Sequence, residues 1–215
     1  MSNDNNNLPN NIGHSFVVDS FEDIIDPNDG VTTLREAINA SNSLSGQNTI
    51  SFNLAPGSVI NLAEKLEITN DLNILGLGAE SLTISGNNTF DNFFIDNTNV
   101  VFNGLTIANG LEGIDVGSNS TVTVMNSAFV NNADDGVQVS GNNNTLNVSA
   151  TTFKTNGGDG LDINSNGNSI SLTDISATGN TETGLEIDGT DNLLNVSNSS
   201  VTANGDDGIK IDEGG

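Results

Sequence analysis

The chain has 215 residues and a formal net charge of -24, from 28 Asp and Glu against 4 Lys and Arg, and it contains no Cys, Trp or Tyr. That balance excludes the basic footprint that nucleic acid or an anionic membrane would need, and the missing Cys excludes disulfides and thiolate chemistry. Divalent cations are the natural counter-ions of such a surface, whereas a sugar-stacking platform is weakened by the missing Trp and Tyr.

Residues 1–11, MSNDNNNLPNN, are polar and Asn-rich and read as a disordered leader. They lack the basic segment followed by an apolar one that marks a conventional signal peptide. No stretch reaches the roughly 18 apolar residues of a membrane-crossing helix. Residues 15–19 alternate weakly and suit a first edge strand, and Asp26-Pro-Asn-Asp-Gly30 is a turn cluster. The helix candidate lies near 33–42, inside an N-terminal cap at 12–48. Thr33 stands three residues before Glu36, a capping box, and Leu34, Ala37 and Ile38 form the apolar stripe, with Arg35 and Glu36 turned to water. Such a helix can cover the open end of a solenoid.

From residue 49 the chain breaks into short alternating runs. Residues 49–52, 59–62 and 65–68 supply three strands of a first turn. Residues 72–74, 82–84 and 93–95 supply the second, which is longer because of the 76–80 and 86–92 segments. The third uses 100–102, 105–107 and 113–116. From Thr121 the sequence repeats every 24 residues without gaps. Val122, Leu146, Ile170 and Leu194 form one column, Phe129, Phe153, Ala177 and Val201 another, and Val137, Leu161, Leu185 and Ile209 a third. About three strands fit in one block, so each block is one turn of a parallel β-helix spanning 49–215, with apolar columns inward. The fold class is all-β: a right-handed single-stranded parallel β-helix of about seven turns, roughly 34 Å long at about 4.8 Å per turn. Asn132, Asn156, Asn180 and Asn204 fall at a bend, where side-chain amides can bond from turn to turn. Gly136, Gly160, Gly184 and Gly208 mark a place where a Cβ is costly. The final strand is as regular as the earlier ones and no cap follows it, which predicts a piece of a longer chain, a self-capping last turn, or end-to-end docking of two copies.

Two segments resemble a known family. Gly30-Val-Thr-Thr-Leu-Arg-Glu-Ala-Ile-Asn39, followed by Asn48-Thr-Ile-Ser-Phe52, is similar to the CSLREA-type domain that opens large secreted bacterial right-handed parallel β-helix proteins of the pectate-lyase-like class, adhesins among them. Thr32-Thr33 replaces the usual Cys-Ser. Leu72-Asn-Ile-Leu-Gly-Leu-Gly78 and Leu82-Thr-Ile-Ser-Gly86 continue the likeness, which covers about residues 28–108. The resemblance implies a secreted or cell-surface location and, in some members, neighbouring calcium-binding repeats.

Two kinds of site are legible. The outward position of the last strand in each turn reads Asp115, Gln138, Asp162, Glu186 and Lys210, so Asp162, Glu186 and Lys210 stack as neighbours. A polysaccharide lyase would use the acids for calcium and Lys210 as base, and a hydrolase would pair Asp162 with Glu186. A solvated strand face with a Glu186–Lys210 pair is the plainer reading. Calcium is the stronger chemical expectation. Asp135 stacks on Asp159 and Asp188 on Asp212, while Asp206 and Asp207 repeat the bend position, and like carboxylates about 5 Å apart repel unless a cation or proton intervenes. His14, the one histidine, stands without partners. Thr holds no single outward column through the four regular turns, as an ice-binding face would need. The function expected is therefore a non-catalytic extracellular or cell-surface rod for structure or adhesion. Its partners would be further repeats or domains of a longer chain, a surface glycan or protein, or a second copy end to end. The alternative is a carbohydrate-active β-helix.

Overall fold

The computed structural model describes residues 13–212; the predicted leader at 1–11 lies outside the described residues. The chain winds into seven coils, each contributing one strand to each of three parallel sheets. The first coil uses Asn48–Phe52, Ser58–Asn61 and Leu66–Ile68, and the seventh uses Leu193–Ser197, Ser200–Thr202 and Ile209–Asp212. Ser15–Val18 adds an eighth strand to the first sheet, pairing in parallel with the first coil. The architecture is a right-handed parallel β-helix with one short helix at its N-terminal end.

The predicted inward columns are the core. Val122, Val124, Phe129, Val137 and Val139 of the fourth coil and their counterparts in the fifth are almost fully buried. Each such side chain is worth about 1.5–3 kcal/mol when removed from water. Phe129 and Phe153 stack with ring centroids 5.1 Å apart and planes 8° from parallel, because identical residues in register must lie face over face. In the seventh coil the same inward positions lose their cover, and Ile209 and Ile211 are exposed.

Bends reinforce the register of the strands. The Asn column is bonded throughout: Asn132 Nδ2 donates to Asn156 Oδ1 (3.1 Å), Asn156 to Asn180 (3.0 Å) and Asn180 to Asn204 (3.0 Å). Each Oδ1 also accepts the backbone N–H of the Asn one coil earlier. A second Asn ladder, Asn144, Asn168 and Asn192, runs along the bend from the third sheet back to the first. The sequence reading passed over this one, although its members also recur every 24 residues. At the Gly column the backbone is not left-handed. A Cβ on Gly136 or Gly160 would sit 2.5 Å from the carbonyl oxygen of the next glycine in the column, so close approach between coils excludes a side chain.

The helix spans Leu34–Asn42 with Thr33 as N-cap. Glu36 N–H donates to Thr33 Oγ1 (3.2 Å) and Thr33 N–H to Glu36 Oε2 (2.9 Å), closing the capping box. Leu34, Ala37 and Ile38 are buried against the end of the core. Arg35 departs from expectation: it is buried rather than turned to water. Its guanidinium binds Asp23 through two bonds of 2.9 and 2.6 Å and donates to the carbonyls of Glu64 (2.6 Å) and Lys65 (3.2 Å). Five fixed donors let one side chain tie the 19–33 connection to the first coil.

Candidate functional site

The third sheet carries the chemistry. Its register places Asp115 beside Gln138, Gln138 beside Asp162, Asp162 beside Glu186 and Glu186 beside Lys210, so the predicted outward column is one physical stack. Ahead of these strands the bend brings Glu112, Asp134, Asp135, Asp159 and Glu182 to the same side. Asp134, Asp135, Asp159, Asp162, Glu182, Glu186 and Asp188 line one shallow cavity of about 300 Å³ with Gln138 and Asn164.

Three of these carboxylates form a ladder of their own. Asp135 N–H donates to Glu112 Oε2 (2.9 Å), Asp159 N–H to Asp135 Oδ1 (2.6 Å) and Thr183 N–H to Asp159 Oδ1 (2.5 Å). The side chain of one coil thus accepts the amide of the next, the reverse of the Asn ladder. One oxygen of each carboxyl accepts a backbone N–H, and among the described residues the other takes no hydrogen bond.

Burial, and then crowding of like charges, raises the proton affinity of this face. Burial, then the charges of Asp135 and Asp134, push Glu112 from its ordinary 4.5 to about 8. Burial pushes Asp135 and Asp159 to about 7 against the lowering effect of their backbone bonds. Burial and the charges of Asp159 and Glu186 raise Asp162 to about 7. Burial also raises Asp115, while the Ser140 hydroxyl, 2.5 Å from Asp115 Oδ1, pulls the other way.

The carboxylates expected to hold calcium fall in three places. Asp135 and Asp159 are neighbours, joined by a backbone N–H rather than by facing oxygens. Oxygens of Glu112, Asp134 and Asp135 all lie within 4.8 Å of one another, as do those of Glu186, Asp188 and Asp212. Asp188 and Asp212 are register partners, and one Asp188 oxygen is buried without a hydrogen-bond partner among the described residues. Lys210 enters that second group, with its ammonium on Glu186 and 3.1 Å from Asp212. Asp206 and Asp207 are exposed at the last bend and line a neighbouring cavity with Glu182, Glu186 and Lys210. The sequence reading missed Glu112. It precedes Gly113 as Asp135 precedes Gly136, but its coil differs in length, so a strict 24-residue frame skips it.

This arrangement offers clustered hard carboxyl oxygens, several of which hold a proton until pH rises through about 7 to 8, and a single ammonium at its edge. Its hydrogen bonds to Glu186 and Asp212 raise the proton affinity of Lys210 further above its ordinary value, which keeps the ammonium charged. Asp162 and Glu186 are stacked register neighbours. His14 is exposed at the first coil, where its backbone N–H donates to Asn48 Oδ1.

A family model described as a right handed beta helix region matches residues 72–215. No curated protein matches the chain.

Proposed function

The chain belongs to the right-handed β-helix family, and from that premise we propose that it is a non-catalytic extracellular or cell-surface rod, of structural or adhesive use, whose acidic face takes up calcium. The likeness of residues 28–108 to the opening domain of large secreted β-helix proteins supports the location. One observation carries the non-catalytic reading: the basic groups near the third sheet are engaged. Lys210 is held by Glu186 and Asp212, Lys65 lies 3.9 Å from Asp91, and Arg35 is paired with Asp23. A lyase built on Asp162, Glu186 and Lys210 would need Lys210 to give up its proton, against the two carboxylates that hold it.

Calcium follows from the oxygens. One oxygen each from Glu112, Asp134 and Asp135, within 4.8 Å of one another, would supply part of the six to eight ligands that Ca²⁺ takes, with water completing the shell. The test is a calorimetric titration with Ca²⁺ and with Mg²⁺, followed by thermal unfolding in each. Saturable heat with a Ca²⁺-selective rise in Tm is expected, and its loss in Glu112→Gln/Asp135→Asn would place the ion. Equal behaviour in the two ions would reduce the face to a screened acidic surface.

A further inference from the structure

A groove of about 730 Å³ lies where the helix Leu34–Asn42, the strand Leu66–Ile68 and the 86–92 segment meet. Its volume suits a small ligand or a short stretch of chain. Ile38 and Leu66 form a buried floor, Phe90 is half-buried at one side, and Leu111 is 44% exposed on the rim. These four residues come from the cap and three separate coils, so the groove exists only because the irregular coils bring them together.

Charge decides what fits. Arg35 and Lys65 line the groove but both cations are engaged: Arg35 is held by Asp23, by two carbonyls and, at 3.5 Å, by the outer carboxylate of Glu64, and Lys65 stands between Asp91 and the Phe94 ring, 4.9 Å from its centroid. Carboxylates are in surplus. The Glu64 side chain is 73% exposed, Glu67 is exposed, and Asp91 lies on the same wall. An anionic ligand, acidic sugars included, meets these carboxylates without a free cation in return. A neutral ligand would leave the exposed Glu64 and Glu67 without a counter-charge. What remains complementary is a ligand that is both cationic and apolar.

We propose that this groove docks a basic segment of a partner protein, a short peptide stretch in which Lys or Arg alternates with apolar residues. Its cationic groups meet Glu64 and Glu67, and an apolar side chain rests against Leu66, Phe90 and Leu111. The proposal stands apart from the calcium reading, because the groove and the carboxyl ladder share no residue.

The probe is a labelled acetyl-Leu-Arg-Leu-Lys-Leu-amide peptide, titrated into the full chain by fluorescence anisotropy beside its Glu-substituted counterpart and an oligogalacturonate. Saturable one-to-one binding is expected for the basic peptide alone. It should weaken roughly tenfold in Glu64→Gln/Glu67→Gln, as the loss of two exposed charge contacts implies. Leu111→Ser should weaken it several-fold, and Asp162→Asn/Glu186→Gln should leave it unchanged. Circular dichroism checks that each variant folds, which the exposure of Glu64, Glu67 and Leu111 favours. Non-saturating binding, or binding lost in the Asp162→Asn/Glu186→Gln chain instead, would reduce the effect to general attraction by an acidic surface and overturn the proposal. Equal binding of the acidic peptide or the oligogalacturonate would overturn it as well.

Discussion

The first three coils and the last four solve the same stacking problem in different ways. From Thr121 onward each coil repeats its neighbour, and identical side chains bond to themselves up the rod, as in the Asn132 and Asn144 columns. Before that point the coils differ in length: Leu72 faces Val100, and Val100 faces Val122, outside the 24-residue period. Unlike groups hold this part. Asp71 bonds Thr98 and Asn99, and Asn92, fully buried, donates to the carbonyls of Ile84 and Ala108. Arg35 binds the cap. Regular coils share their stability among many equal rungs, whereas irregular coils concentrate it in a few contacts and gain a groove in return.

That contrast can be broken first at its most concentrated point. Replacing Arg35 with Met leaves the Asp23 carboxylate buried without its partner, and such removals cost about 3–5 kcal/mol. Denaturant unfolding should show the loss, and hydrogen exchange should place it in the cap and first coil. A uniform loss of protection along the rod would contradict a local tie.

The middle rung of the regular half comes next. Asn156→Ala strands the backbone and side-chain donors of Asn132 in a buried bend, a cost of about 2–4 kcal/mol. The same change at Asn204, on the last coil, should cost less than about 1 kcal/mol, since that rung is half-buried. Equal costs would mean that the ladder does not share load along its length.

The acidic face yields a pH dependence confined to the regular half and its border. Glu112, Asp135, Asp159 and Asp162 hold their protons more tightly folded than unfolded, with folded values of about 8 and about 7 against ordinary values of 4.5 and 3.8. Their stabilisation is therefore complete below the unfolded values and is lost as pH rises through 7 to 8. In the presence of a chelator, Tm should fall between pH 5 and pH 9, and Glu112→Gln/Asp162→Asn should flatten the slope. A Tm that climbs over that interval would invert the argument.

The smallest effect is a gain. Ala150 sits in the left-handed region at φ 47°, in a column with Asn126, Asp174 and Asn198 at φ 50°, 54° and 51°. Asn tolerates this conformation better than Ala, so Ala150→Asn should stabilise by about 0.5–1 kcal/mol. Unchanged or lower stability in thermal unfolding would show that the regular coils had already absorbed the strain.

What the sequence by itself determined was everything that a fixed period can carry. The 24-residue repeat placed the inward columns, the Asn132 ladder and the Gln138 to Lys210 stack, because in a parallel coil a residue's neighbours along the axis are its own copies one period away. Local chemistry also set the helix start, since a capping box needs only Thr33 and Glu36. Tertiary structure decided the rest. It turned Arg35 inward, it brought Glu112 to Asp134 and Asp135 across an off-period coil, and it gathered Ile38, Leu66, Phe90 and Leu111 around one groove. None of these follows from a period, because where coils differ in length the path of each connection, and not its sequence spacing, fixes which side chains meet.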